Sequence, residues 1–197
     1  MINNRLTYLI SIKYYFIFNT CLFALAIAAG YIAAYSNPGM VEGIIANFEE
    51  SYGWLAHESH IKIMLFIFLN NTIASFLSMI MGIFFGIWPI FFILFNGVLI
   101  GAICFETIDQ LGVATVLFAL IPHGIIEIPM ILLSASIGLR LGILLAQKIL
   151  KKIEINIKEE VISALIFFVS IIVPLLFVAA LIETYITSFI LYFMTST

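Results

Sequence analysis

Three stretches of this chain carry no charged residue and are long enough to cross a bilayer. They are residues 14–41, between Lys13 and Glu42; 63–105, between Lys62 and Glu106; and 161–182, between Glu160 and Glu183. A helix needs about 20 apolar residues to cross a ~30 Å hydrocarbon core, and the middle stretch holds two crossings. Composition agrees: 64% of residues are hydrophobic and 10% charged, far from the balance of a soluble domain. The chain is therefore a polytopic, all-α membrane protein. A net charge of -3 offers no basic surface for nucleic acid.

The expected architecture is a single membrane domain over residues 1–197, with spans at roughly 14–35, 61–81, 87–105, 123–146 and 161–182. The first apolar run is too long for a signal-peptide core and reads as a retained span. "SNPG" (36–39) ends it with turn-forming residues. Residues 40–60 place Val41, Ile44, Ile45, Phe48, Tyr52 and Leu55 at helical spacing among four glutamates, the pattern of an amphipathic surface helix. "GIFFGIWP" (82–89) reads as a tight turn, and "ETIDQLG" (106–112) as a polar connection. Residues 113–147 exceed one upright crossing. Pro122 is expected to break them into a half-helix, 113–121, re-entrant or interfacial, and the fourth span. Residues 147–160 form a charged, basic loop. Cys21 and Cys104 have neither disulfide nor metal spacing and read as packing residues.

Basic residues set the expected topology. Arg5, Lys13, Lys148, Lys151, Lys152 and Lys158 share one side of a five-span arrangement, and Lys62 lies on the other. The N-terminus and the 147–160 loop are then cytoplasmic, and the C-terminus and the 40–60 segment are outside.

Polar groups inside spans are costly and mark structural or functional sites. Asn70, Asn71, Ser75 and Ser78 lie in the second span, Asn96 in the third, and His123, Glu127, Ser134, Ser136 and Arg140 in the fourth. Positions 123, 127 and 134 share one helical face, and His123 and Glu127, four apart, can touch. This pair admits several readings: a hydrogen-bonded polar cluster with Asn70, Asn71 and Asn96; two metal ligands, His123 and Glu127 being the candidates; acid–base or hydrolytic chemistry; and an ion or proton path. Arg140 snorkels to lipid phosphates or bridges into the bundle. Gly82/Gly86 and Gly138/Gly142 have GxxxG spacing, which permits close helix contact.

"FLNNTIASF" (68–76), "GIFFGIWPIFFILFNGVLIG" (82–101) and "LIPHGIIEIPMILLSASIGLRLG" (120–142) together resemble the stage II sporulation protein M family of integral membrane proteins. By that resemblance the marked positions are Asn70, Asn71, Pro89, Asn96, Gly97, Gly101, Pro122, His123, Gly124, Glu127, Pro129, Gly138 and Gly142. Asn70, Asn71, Asn96, His123 and Glu127 are expected to form a polar core. Helix packing and breaks fall to the glycines and prolines, with Gly82 and Gly86. The resemblance implies a scaffold that, in spore formers, organises a partner membrane protein and a peptidoglycan-degrading enzyme at engulfment. Catalysis then belongs to the partners and no cofactor is implied. Expected partners are the lipid bilayer, other membrane or envelope proteins, and further copies of the chain. The alternatives are a transporter or permease-like subunit built on the His–Glu–Asn cluster, and an intramembrane metalloenzyme. A hydrated cavity ending in an unpaired carboxylate oxygen would favour transport over scaffolding.

Overall fold

The computed structural model describes residues 5–152 and 154–187. Among these, no strand occurs, and five helices are long and apolar enough to cross a membrane: Leu6–Ser36, His60–Met81, Ile87–Leu111, Gly124–Ile149 and Ile157–Ile186. The helices are α1 (Arg5–Ser36), α2 (Pro38–Tyr52), α3 (His60–Met81), α4 (Ile87–Leu111), α5 (Val113–Ile149), α6 (Ile157–Phe167) and α7 (Val173–Leu181). A short 3₁₀ turn, Gly53–His57, follows α2, and π-helical stretches Phe168–Ile172 and Ile182–Thr187 follow α6 and α7. These last four segments make one long fifth crossing.

Three boundaries differ from the sequence reading. Residues 113–149 form one helix, so the expected half-helix and fourth span are joined through Pro122. A proline removes one helical donor, and membrane helices tolerate this where neighbours re-satisfy the freed carbonyl. The side chains of Pro122 and His123, like those of Val41, Ile45 and Phe48 in α2, lie outside the described residues. Residues 106–111 continue α4 instead of forming a polar connection. Gln110 donates to Glu106 Oε1 one turn back, a side-chain pair that suits a helix surface. Helix α1 starts well before residue 14; Lys13 is exposed, with its ammonium 4.7 Å from the Tyr14 ring centre.

Helix α5 is the central element. In the 18-residue apolar window of its span 61% of residues are buried, against 22–33% in those of the other four, and it packs against α1, α3, α4, α6 and α7. Lipid is as apolar as leucine, so close backbone approach and interhelical hydrogen bonds hold such a bundle. Both are present. A Cβ on Gly82 would fall on the Gly138 backbone, and one on Gly142 on Gly82 O and Gly86 N. The two GxxxG pairs therefore pack against each other. The turn between α3 and α4 makes this contact possible: Phe85 and Gly86 adopt φ of 56° and 74°, with Gly86 N donating to Gly82 O at 2.7 Å. Pro89 is buried in the first turn of α4, where its missing N–H costs nothing. A second small-residue seam joins α1 to α4, the most extensive helix pairing. There Gly97 faces Ala26 and Gly101 faces the Ile27 carbonyl.

Buried hydrogen bonds fix the register. Asn19 Nδ2 on α1 donates to Ser136 Oγ on α5 at 3.0 Å, and Ser136 passes its own proton to Leu132 O. Ser134 Oγ donates to Ser75 O on α3 at 2.6 Å. Replacing Ser134 with alanine removes this interhelical bond and should cost about 1 kcal/mol, measurable by reversible unfolding in mixed micelles.

Candidate functional site: a carboxylate-lined cavity

Helices α3 and α5 touch closely at their glycine end. Toward the α2 end, Phe66 and Ile67 of α3 and Phe95 of α4 line a cavity of about 860 Å³ that α5 also borders. Helix α3 contributes Asn70 and Asn71, and α5 contributes Glu127. Glu183 enters from the terminal π-helical stretch. Segments α2 and the 3₁₀ turn close the space with Ile44, Asn47, Tyr52 and Leu55. This roof is tied to α3 by aromatic contacts: the Tyr52 and Trp54 rings meet Phe66 edge-on at 5.6 and 5.7 Å.

Glu127 Oε2 is buried and, among the described residues, has no hydrogen-bond partner. Glu183 lies near enough to act on it electrostatically. Among the described residues, no lysine or arginine lines the cavity. Two acidic groups thus face one space whose other walls are amide, aromatic and aliphatic. Asn70 Nδ2 sits 3.4 Å from Asn71 Oδ1, a weak contact.

Three members of the expected polar core therefore share a site, Asn70, Asn71 and Glu127. Asn96 does not line it; its amide donates to Phe92 O within α4 at 2.8 Å. The backbone of His123 lies one turn before Glu127 on α5, and its side chain is outside the described residues. Among the described residues, no three His, Cys, Asp or Glu side chains converge as metal ligands. Among the described residues, a Cβ on Gly124 would meet the tip of Ile128 and no backbone of another helix. Pro129 is part-buried within continuous helix.

A second polar group lies at the opposite end. Arg140 Nη1 pairs with Glu160 Oε2 at 2.5 Å, and both side chains are nearly buried. The guanidinium carbon also stands 5.8 Å from the Tyr8 ring centre. Arg140 therefore bridges α5 to α6 and α1 instead of reaching outward to lipid phosphate. Asn19, Glu160 and Glu183 were the residues that sequence reasoning left unused. Asn19 could have been found as the asparagine within the first apolar window, whereas Glu183 and Glu160 only delimit the last one.

The model of one family, stage II sporulation protein M, matches residues 19–188. The chain belongs to the stage II sporulation protein M family. Within this family-wide resemblance, it is 36% identical over 125 residues to uncharacterized protein MJ0793 of Methanocaldococcus jannaschii, covering 61% of this chain and 68% of the relative. It is 33% identical over 98 residues to uncharacterized protein MJ0706 of the same organism, covering 48% of this chain and 42% of that relative. The chain thus spans less than half the length of the second relative. No solved structure matches. The family match includes Asn70, Asn71, Glu127 and Glu183, so the whole cavity floor lies inside the family's extent.

Proposed function

We propose that this family member is a ligand-binding membrane protein, working as a transporter or permease-like subunit through the cavity between α3, α5 and the fifth crossing. One observation carries the reading: Glu127, whose buried carboxylate oxygen has no hydrogen-bond partner among the described residues, lines a cavity of about 860 Å³. A carboxylate kept only as internal glue would have its hydrogen bonds satisfied by the neighbouring amides. The volume falls in the range of small-ligand sites. The glue is found elsewhere, in Asn19–Ser136, Ser134–Ser75 and Arg140–Glu160. Basic residues clustered at the Arg140 end support a cytoplasmic N-terminus and loop 147–160, which puts the cavity on the outer side.

Family membership supports a second reading, a scaffold that organises partner membrane or envelope proteins without catalysing a reaction itself. The two differ in whether water reaches the cavity. In a Cys21→Ser, Cys104→Ser background, Asn71→Cys should react with a charged, membrane-impermeant thiol reagent from the outer face of sealed vesicles. No reaction from either face would remove the ligand-binding reading and leave the scaffold.

A further inference from the structure

A second candidate site lies where α5 hands over to α6, apart from the carboxylate-lined cavity and independent of its reading. One crossing ends there at Ile149 and the next begins at Ile157, so the connection between them lies at a membrane surface. An open cavity of about 620 Å³ occupies this turn, lined by Lys148, Lys151, Glu154, Ile155 and Asn156. We propose that it seats the headgroup of an anionic phospholipid, one carrying a singly charged phosphodiester and free hydroxyl groups.

Backbone geometry brings the lysines to the cavity. Lys151 N donates to Lys148 O and Lys152 N to Gln147 O, both at 2.9 Å, the paired bonds that commonly end a helix on a left-handed glycine. Lysine stands in the glycine position here, at a φ of 54°. A long side chain is disfavoured at that φ, so the turn itself does not call for one. The helix dipole favours a cation in this last turn, and Lys148 already supplies it. Both lysines are exposed, and among the described residues neither is in an ion pair.

The lining specifies the class. Two ammonium groups attract a phosphate, and basic residues beside a bilayer bind its anionic headgroups. Ile149 and Leu150 are exposed next to the lysines, and Ile155 lines the cavity, so apolar contact with the upper acyl chains accompanies the charge. Glu154 places one carboxylate in the same lining. It opposes a doubly charged phosphomonoester and can accept a hydrogen bond from a headgroup hydroxyl. Asn156 Nδ2 donates to Glu159 Oε1 at 2.9 Å, which holds the amide at the cavity's edge. Glu160, next in α6, is already paired with Arg140.

Brominated phosphatidylglycerol and phosphatidylcholine test the inference by quenching a tryptophan beside the site. The full chain carries Leu150→Trp, with Trp54 and Trp88 replaced by phenylalanine, and is reconstituted into vesicles mixing the two lipids. Phosphatidylglycerol should bind there at least fivefold more tightly than phosphatidylcholine. Lys151→Gly should lower that preference about fivefold, the equivalent of about 1 kcal/mol. Glycine suits the left-handed turn, so this variant removes the charge without disturbing the fold. Lys148→Gln should act in the same direction and covers the case in which one variant folds poorly. Lys152→Gln is the control, an exposed lysine outside the lining, and should lower the preference less than half as much. Glycerol phosphate added at constant ionic strength should leave the quenching unchanged. No preference for the anionic lipid, or indifference to both Lys151→Gly and Lys148→Gln, would overturn the assignment. An equal effect of Lys152→Gln would do so too, by reducing the site to general surface charge. Displacement of the lipid by glycerol phosphate would overturn the lipid as occupant in favour of a soluble phosphate compound.

Discussion

Replacing Gly142 with valine is expected to cost roughly 3 kcal/mol or more and to prevent stable folding. The cause is backbone, not side chain. A Cβ at this position would occupy the place of Gly82 O and Gly86 N, with Phe85 C 2.7 Å away. None of those atoms can rotate aside, and the turn they belong to is already held by left-handed conformations at Phe85 and Gly86. Alanine suffices to test the point, since its single methyl makes the clash; Gly138→Ala should behave similarly against Ser78 O at 2.6 Å. Gly124→Ala is the control. Among the described residues its added methyl meets only Ile128 Cδ1, a flexible side-chain tip, at 3.3 Å, and alanine favours the helix by about 0.5–1 kcal/mol over glycine, so stability should hold or rise slightly. Unfolding midpoints of the purified variants in one detergent distinguish these outcomes.

Arg140→Ala should cost about 3 kcal/mol, because it leaves the Glu160 carboxylate nearly buried without its partner. The side chains are only 10% and 13% exposed, so solvent screens the pair weakly. The arginine also covers Tyr8, and its loss removes a contact among α1, α5 and α6. A double replacement, Arg140→Met with Glu160→Met, removes both charges while retaining apolar bulk. It should recover most of the loss, as exchanging a buried ion pair for packed apolar groups often does. Equal instability of the single and double variants would show that shape, not charge, governs this junction.

The five crossings were legible because apolar windows between charges report directly on what lipid accepts. Their ends were less so. Asp109 and Gln110 look like loop residues on a hydropathy scale, yet they continue α4 as exposed helix. Pro122 looks like a break, and the backbone of α5 passes through it. Local sequence names the residue that weakens a helix but not the tertiary contacts that keep it intact. The two GxxxG motifs were visible individually; that they face each other depends on the tight turn reversing the chain at Gly82–Gly86. Half of the cavity was likewise visible. Asn70, Asn71 and Glu127 stand out as polar residues in apolar windows, while Glu183 sits at a window's edge. Its entry into the site depends on the π-helical stretch Ile182–Thr187, whose changed helical phase no side-chain pattern announces. Asn96 illustrates the opposite case, a polar residue in a span that bonds its own helix and joins no site.

The central claim is that the polar residues binding the helices together and those facing the cavity are separate sets. The unfolding midpoint of Glu127→Gln, measured without added ligand, tests it most directly. Glutamine keeps the volume and removes one of two acidic groups lining the same space. The midpoint should therefore match or exceed that of the parent protein, while Ser134→Ala falls below it. A Glu127→Gln midpoint lower than that of Ser134→Ala would contradict the account and place Glu127 among the residues that hold the bundle together.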